Sequence, residues 1–345
     1  MSRIITLIPG DGIGPEIMAS VKSVFAALEA PFEWEEQNAG MSALEAHGEL
    51  LPKALLKSLE RNRIGLKGPI TTPVGEGFRS VNIQLRQHFE LYANIRPCKS
   101  VEAIPTRFEN VDLVIIRENT EGLYSGLENY DERLGIVDSI ARVTTRGCER
   151  IVRAGFEYAR NNQRKKITLV HKANILKQAG AMLLNAARAI APQFPEIGVE
   201  DLIIDNMCMQ LVTRPERYDV IVTTNLFGDI LSDLAAGLVG GLGVAAGANI
   251  GTNVAVFEAV HGSAPDIAGK NIANPTAILK SAVMMLNHVG EDDLAFRLDR
   301  AIDRTLHVRE QCTADLGGKA GTREFTQFVI RNLEAERVRP TAVHR

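Results

Sequence analysis

The sequence has little of the features that mark several specialised classes of protein. Its net charge is only −3, from 39 Lys and Arg against 42 Asp and Glu, so we expect neither nucleic acid nor a membrane surface as a partner. The four cysteines form no C-x-x-C pair; they are Cys98, Cys148, Cys208 and Cys312. This scatter argues against disulfides and zinc sites. Together with a start that lacks a signal-peptide pattern, it predicts a reducing compartment, the cytoplasm.

Long hydrophobic runs are also scarce. Residues 234–257 carry no charged side chain and would be long enough to cross a bilayer. However, the same stretch contains six glycines and two asparagines. Because so many helix breakers and amides interrupt it, we expect a short helix, a tight loop and a buried strand there, and not a membrane span.

What the sequence does contain is an alternation of strand and helix patterns over 345 residues. Apolar runs predict strands at 4–8, 64–70, 111–116, 167–170, 202–204 and 220–222. Helical patterns fall between and after them, for example at 147–159, 177–190 and 277–288. This alternation is typical of an α/β architecture, and the length suggests about two domains. Since no linker or repeat separates two halves, we expect these domains to be interleaved.

A candidate metal site lies in residues 225–233, which follow a predicted strand. Asp229 and Asp233 stand four residues apart in a helical pattern, so both carboxylates lie on one face of the helix. Paired carboxylates are oxygen ligands suited to Mg²⁺ or Mn²⁺. The alternative is structural: Asp229 favours the helix N-terminus electrostatically, and Asp233 is a solvated surface residue.

Three arginines near the ends of strand patterns form a candidate anion site: Arg86, Arg96 and Arg117. A guanidinium pairs bidentately with carboxylates, so three of them would suit a di- or tricarboxylate. The alternative is that these arginines are structural and pair with local acids, namely Glu90, Glu118 and Glu121.

Other polar residues follow predicted strands or lie in polar turns. Lys172 comes directly after one strand and can accept a proton where its surroundings disfavour the charged form. Tyr124 could act as its partner acid. Asp266 could bind a ribose diol and would repel a 2′-phosphate. Taken alone, each of these residues, and His261 with them, has an ordinary structural explanation.

The turn at residues 9–16 is rich in glycine but does not fit a nucleotide-binding motif. It reads P-G-D-G-I-G-P-E, which is neither G-x-G-x-x-G nor G-x-x-x-x-G-K-[ST]. Pro15 stands where helices often begin. Alone, this stretch is a strand-to-helix turn with at most a weak indication of a cofactor.

Together these stretches resemble the isocitrate/3-isopropylmalate dehydrogenase family, over nearly the whole chain from residue 8 to residue 318. The resemblance implies an α/β fold that is not a Rossmann fold, with an active-site cleft between two interleaved domains. Residues 1–91 and 240–345 would form the larger, cofactor-binding domain, and residues 92–239 the smaller one. The segment at about 122–144 would form a short interlocking clasp with a second copy of the chain, giving a homodimer.

The resemblance also assigns roles to residues by position. The predicted catalytic residues are Tyr124 and Lys172. The predicted substrate-binding residues are Ser80, Asn82, Arg86, Arg96 and Arg117. The predicted ligands of Mg²⁺ or Mn²⁺ are Asp205, Asp229 and Asp233. The predicted cofactor-binding residues are Thr72, His261, Gly262, Ser263, Ala264, Pro265, Asp266, Ile267 and Asn274. In this family, Lys172 and Asp205 would act across the dimer interface.

Two pairs of residues favour one reaction within the family, namely oxidative decarboxylation of isocitrate to 2-oxoglutarate and CO₂ with reduction of NAD. Ser80 and Asn82 fit the isocitrate pattern S-x-N-x-x-L-R, and both can donate hydrogen bonds to a carboxylate. Left unpaired, each would cost about 1–3 kcal/mol. The pair Asp266 and Ile267 resembles the NAD pattern, whereas NADP-dependent relatives tend to carry Lys-Tyr. The alternatives are homoisocitrate, 3-isopropylmalate or tartrate as substrate, or a regulatory subunit of a hetero-oligomeric dehydrogenase.

Overall fold

The computed structural model describes residues 2–72, 79–101, 104 and 106–337, and a large sheet runs through them. In these residues the sheet has ten strands, in the order β2-β1-β3-β12-β11-β4-β5-β10-β8-β9. Their bounds are β1 Arg3–Ile8, β2 Phe32–Glu36, β3 Ile64–Lys67, β4 Ala93–Lys99, β5 Asp112–Glu118, β8 Lys166–His171, β9 Gly198–Ile203, β10 Val220–Thr223, β11 Ala246–Ile250 and β12 Ala255–Ala259. A separate hairpin is formed by β6 Gly122–Asp131 and β7 Ile136–Arg142.

Helices cover both faces of the sheet, which confirms the predicted α/β class. Their bounds are α1 Gly14–Leu28, α2 Met41–His47, α3 Lys53–Asn62, α4 Val81–His88, α5 Thr145–Asn161, α6 Lys177–Ile190, α7 Ile204–Leu211, α8 Asn225–Leu238, α9 Thr276–His288, α10 Asp292–Leu306 and α11 Thr322–Arg337. None of the described helices is both long and apolar enough to cross a membrane.

Strands buried on both faces explain the continuous apolar runs in the sequence. In β10, Val220 and Val222 pack with α5 and α6, while Ile221 faces the cluster that includes α7 and α8. In β1, Leu7 packs in the cluster of α1, α9, α10 and α11, and Ile8 packs in the opposite cluster with α3 and α4. Each half of the sheet therefore has its own pair of apolar layers.

Strand direction changes in the middle of the sheet. The strands β2, β1, β3 and β12 are parallel, as are β5, β10, β8 and β9, whereas β11 and β4 pair antiparallel with both of their neighbours. The predicted division between 1–91 plus 240–345 and 92–239 falls between β11 and β4. That division into domains stays a prediction.

Three predicted segments differ from the structure in their extent. The predicted strand at 64–70 ends at Lys67, because Gly68 and Pro69 lie outside the sheet. The predicted strand at 202–204 is the end of β9, and Ile204 already begins α7. Residues 234–257 contain the end of α8, all of β11 and the first part of the antiparallel strand β12, where the sequence predicted one strand.

Candidate functional site

The paired acids of α8 lie where the sequence predicted them. Asp229 and Asp233 follow the buried strand β10 and stand one helical turn apart. Arg96 from β4 lies against both acids, with its Nη2 3.6 Å from Asp229 Oδ1 and its Nη1 3.2 Å from Asp233 Oδ1. Ser232 on the same helix accepts a further hydrogen bond from Arg96 Nη1, at 2.5 Å. The site therefore begins with one guanidinium held between two carboxylates.

Arg117 from β5 is the most deeply buried charge of the site, with only 1% of its surface exposed. Its guanidinium forms an ion pair with Asp229 and donates to Asn225 Oδ1 at 2.7 and 3.0 Å. A side chain at Gly228 would place a Cβ 2.5 Å from Arg117 Cγ, so glycine is what lets the arginine lie against α8. Burial lowers the pKa of Arg117 to about 10, although Asp229 acts in the opposite direction.

Tyr124 from β6 completes this cluster. Its hydroxyl donates a hydrogen bond to Asp229, and its ring lies 5.0 Å from the Arg117 guanidinium carbon. Burial, followed by the hydrogen bond and the charge of Asp229, raises the pKa of the tyrosine. Burial alone would raise the pKa of Asp229, but the charge of Arg117 and the bond from Tyr124 outweigh it, so that this pKa is lowered. The tyrosine is thus protonated and the aspartate ionised at neutral pH.

Arg86 on α4 belongs to an adjoining ion-pair cluster that the sequence did not reveal. Its Nη2 lies 3.4 Å from Glu258 Oε1, and Lys67 Nζ lies 2.6 Å from Glu258 Oε2. Burial would raise the pKa of Glu258, but the charges of Lys67 and Arg86 outweigh this and hold it well below its usual range. The only signal in the sequence was a charged residue inside the apolar run A-V-F-E-A.

Ser80 and Asn82 lie at the start of α4, close to Arg86 in sequence. Ser80 caps the helix by accepting from the backbone N of Ile83, at 3.5 Å. The side chain of Asn82 is partly buried, and its Oδ1 has no hydrogen-bond partner among the described residues. This oxygen can therefore accept a hydrogen bond from a ligand, or the amide can rotate and present its NH₂ group as a donor instead.

Lys172 and Asp205 form a second, separate group. Lys172 follows β8, Asp205 lies in the first turn of α7, and Lys172 Nζ donates to Asp205 Oδ1 at 2.6 Å. This hydrogen bond lowers the pKa of Asp205. Within the part of the chain that the structure describes, no three His, Cys, Asp or Glu residues are grouped to hold a metal. A single chain therefore does not bring Asp205 to Asp229 and Asp233.

The glycine-rich turn at 9–16 supports a loop of the predicted cofactor site. The carboxylate of Asp11 accepts backbone hydrogen bonds from Met41, Ser42 and Thr71 at 2.8–3.0 Å. Gly12 has φ +59°, and a Cβ there would lie 2.0 Å from the carbonyl oxygen of Ser263. The turn therefore acts as a structural clamp that fixes other loops.

The predicted cofactor residues share one region but differ in exposure. His261 Nε2 is buried without a partner among the described residues, and burial lowers the pKa of this histidine. Asn274 is held by a hydrogen bond to Asp315 Oδ2 at 2.9 Å and accepts one from the Thr276 amide at 2.9 Å. Thr72 Oγ1 accepts from the Val81 amide at 3.2 Å.

The rest of this loop lies between those anchors. Ser263 Oγ lies 2.6 Å from Thr71 Oγ1, and Ala264 has a left-handed φ of +38°. Three residues of the loop are exposed: Gly262, Pro265 and Asp266. Ile267 is partly buried against the apolar cluster of α1, α9, α10 and α11. The loop thus presents an unpartnered imidazole nitrogen and an exposed carboxylate.

Comparisons with known proteins agree with this arrangement. The family model described as isocitrate/isopropylmalate dehydrogenase matches residues 4–329. A protein of Drosophila melanogaster, named as a probable mitochondrial alpha subunit of isocitrate dehydrogenase (NAD), is 49% identical over 96% of this chain and 88% of that protein. A mitochondrial protein of Dictyostelium discoideum, named as a regulatory subunit of isocitrate dehydrogenase (NAD), is also 49% identical, over 95% of this chain and 91% of that protein.

Solved structures agree as well. The crystal structure of isocitrate dehydrogenase from Methylococcus capsulatus superimposes with a TM-score of 0.93 at 52% identity, over 96% of this chain and 99% of that one. A match of this extent spans both halves of the sheet. The chain belongs to the isocitrate/isopropylmalate dehydrogenase family.

Proposed function

We propose that the chain catalyses the oxidative decarboxylation of isocitrate to 2-oxoglutarate and CO₂, with reduction of NAD and a requirement for Mg²⁺ or Mn²⁺. The observation that carries the proposal is the convergence of Arg96, Arg117 and Tyr124 on Asp229, beside the interior strands β4, β5 and β10. Relatives named as NAD-dependent isocitrate dehydrogenase subunits, at 47–49% identity, support the substrate and the cofactor.

The substrate would be held by its carboxylates. Arg86, Arg96 and Arg117 are paired with acids of the protein, so a bound tricarboxylate would take over some of these ion pairs. Ser80 and Asn82, at the N-terminus of α4, would donate to the carboxylate that distinguishes isocitrate from an isopropyl-substituted acid. Guanidinium groups bind carboxylates through charge-assisted hydrogen bonds, which are both directional and strong.

Lys172 and Tyr124 would move the protons. Lys172 would accept the proton of the C2 hydroxyl as the alcohol is oxidised, and Tyr124 would donate a proton to C3 after CO₂ has left. The raised pKa of Tyr124 supports this role, because the group must carry its proton at neutral pH. When bound, NAD supplies the hydride acceptor and the divalent ion stabilises negative charge as a Lewis acid.

The metal would be held by Asp205, Asp229 and Asp233. Three carboxylates form a donor set that suits a hard divalent cation. Because Asp205 pairs with Lys172 away from the other two acids, the complete set needs a second copy of the chain. The cofactor would bind at Thr72 and at the 261–267 loop with Asn274. The unpartnered His261 Nε2 supports this placement, and the exposed Asp266 would favour NAD by repelling the 2′-phosphate of NADP.

The separation of Asp205 from Asp229 and Asp233 supports the proposal of a homodimer with shared sites. Apolar side chains are exposed around the hairpin and the start of α6, with 53% of Ile140, 68% of Ile175 and 48% of Leu176 accessible. An isolated two-stranded hairpin is marginally stable in water, and exposed apolar residues around it suit a partner surface. The second copy would cover them and would bring its Lys172 and Asp205 to the Tyr124 cluster.

Substitution of Lys172 tests the catalytic assignment. Lys172→Met should lower kcat by about a hundredfold to ten-thousandfold, because general-base catalysis contributes on that scale. Binding of isocitrate with Mn²⁺, measured by calorimetry, should persist. A Lys172→Met enzyme with near-normal kcat would sink the assignment.

Mixing two inactive variants tests the shared site. Lys172→Met and Tyr124→Phe, unfolded and refolded together in equal amounts, should recover about a quarter of the activity. In a two-fold symmetric dimer half of the dimers are mixed, and each mixed dimer has one intact site. If the mixture stays as inactive as its components, each site is built from one chain.

A regulatory subunit is the second candidate function, since one relative at 49% identity carries that name. The retention of Tyr124, Lys172 and the three aspartates favours catalysis. Assaying the purified chain alone, with NAD, Mn²⁺ and either isocitrate, homoisocitrate, 3-isopropylmalate or tartrate, separates the candidates. Activity that appears only after a different chain is added would favour the regulatory role.

The cytoplasm remains our proposal for the compartment, because all four cysteines are free thiols. The Drosophila and Dictyostelium relatives are named as mitochondrial proteins. Fractionation of cells that express the full-length protein decides between these compartments.

A further inference from the structure

A chain of buried amides connects the two ion-pair clusters of the site. Glu258 Oε1 accepts a hydrogen bond from Asn249 Nδ2 at 2.7 Å, and Asn249 Oδ1 accepts one from Asn94 Nδ2 at 2.9 Å. Asn94 Oδ1 in turn accepts from Arg96 Nε at 2.8 Å. The path therefore runs without a break from the carboxylate that holds Arg86 to the guanidinium of Arg96.

The path lies in the interior of the sheet, where burial of polar side chains is energetically unfavourable. Asn94 and Asn249 are 1% and 2% exposed, and they face each other in register on β4 and β11. A third amide, Asn119, donates to the same Asn249 oxygen at 2.9 Å. Burying such groups costs free energy unless each is hydrogen-bonded, and apolar residues would fill the same positions at less cost.

The path also crosses the junction at which strand direction changes. Glu258 and Asn249 lie on β12 and β11, and Asn94 lies on β4 of the other half of the sheet. Arg96 reaches the acids of α8 on that side, while Arg86 stays with Glu258. The distance between the two guanidinium groups is therefore set by hydrogen bonds as well as by the backbone.

We propose that Asn94 and Asn249 are positioning residues for substrate binding. By linking Glu258 to Arg96, they hold Arg86 and Arg96 at the spacing that the substrate's carboxylates require. The amides touch neither substrate nor cofactor and act through the arginines. This inference rests on the proposed function, since it needs the two arginines to bind the substrate.

Asn94→Leu is the direct test because leucine has a similar volume but cannot accept from Arg96 Nε. We expect the KM for isocitrate to rise about tenfold or more, since a hydrogen bond to a charged group is lost, while kcat and the KM for NAD change less than about twofold. Asn94→Asp keeps an acceptor for Arg96 but has no donor for Asn249, so it breaks the path at one bond only. It should also raise the KM for isocitrate and serves if the leucine variant does not fold; a wild-type KM would contradict the proposal.

Asn62→Leu is the matched control. Asn62 also donates its amide to a carboxylate, Glu35 at 2.8 Å, but at the distant edge of the sheet. The Asn62→Leu substitution should lower the thermal stability without raising the KM for isocitrate. If Asn94→Leu behaves in the same way, the amide is merely structural and the proposal is overturned.

A double-substitution cycle shows whether Asn94 acts through Arg96. Lysine has no Nε donor of this kind, so Asn94→Leu should add little to the raised KM of Arg96→Lys. Full additivity of the two effects would contradict the proposal. Failure of the proposed function is seen separately, because the unsubstituted chain would then not oxidise isocitrate.

Discussion

Glu258→Gln tests the electrostatic account of the site most stringently. The carboxylate is the shared partner of Lys67 and Arg86, whose side chains are only 4% and 12% exposed. Glutamine preserves the shape and one acceptor but removes the negative charge, so two buried cations lose their counterion. Removing one partner of a buried ion pair costs about 3–5 kcal/mol. Since glutamine can still accept a hydrogen bond from Lys67, we expect the free energy of unfolding to fall by about 3 kcal/mol at neutral pH.

The pH dependence gives the same prediction a second signature. The pKa of Glu258 is lowered in the folded protein, so its contribution is fully present above its unfolded pKa and is lost as the pH falls towards the folded pKa. The free energies of unfolding of wild type and Glu258→Gln should differ by a constant amount above about pH 5. Below about pH 4.3 this difference should narrow by about 1.4 kcal/mol per pH unit.

Urea unfolding at a fixed protein concentration measures both effects, with Trp34, the single tryptophan, and circular dichroism as probes. Glu36→Gln is the matched control, because Glu36 pairs with Lys22 at an exposed position and should cost less than about 1 kcal/mol. A Glu258→Gln variant that is no less stable than Glu36→Gln would refute the reasoning, as would an unchanged difference at low pH.

Two further predictions concern the cofactor loop. Gly12→Ala should raise the KM for NAD several-fold and destabilise the fold by about 1–3 kcal/mol, because its Cβ would meet the Ser263 carbonyl. Gly48→Ala is the control: Gly48 has a φ of +74° but open space around it, so this variant should be destabilised without a change in the KM for NAD. Asp266→Lys combined with Ile267→Tyr should shift the ratio of kcat/KM values towards NADP, and an unchanged ratio would count against the cofactor assignment.

Much of the fold could be predicted because buried strands and helices have a recognisable local pattern of apolar residues. The apolar run at 220–222 lies within β10, and the helix predicted at 177–190 is α6 itself. Two of the strands that were not predicted lack such a pattern. The hairpin strand β7 is exposed along its whole length, and β2 alternates glutamates with aromatic residues at the edge of the sheet.

The site was predictable only where its residues stand in local motifs. The acids of α8 come from one helix and are found where their spacing placed them. The partners of Arg86 and Asn94 could not be predicted, because Glu258 and Asn249 lie 172 and 155 residues away along the chain and meet them only through strand order and register. The proposed grouping of Asp205 with the other acids would involve a second chain, so the contacts within one chain do not show it.

The most direct test of the central claim is the turnover of isocitrate by the purified chain alone. With NAD and Mn²⁺, we predict equal amounts of NADH, 2-oxoglutarate and CO₂, and a kcat/KM for isocitrate far above those for homoisocitrate, 3-isopropylmalate and tartrate. If another of these acids gives the highest kcat/KM, or if isocitrate yields no NADH at any concentration of the chain, the proposed function is wrong.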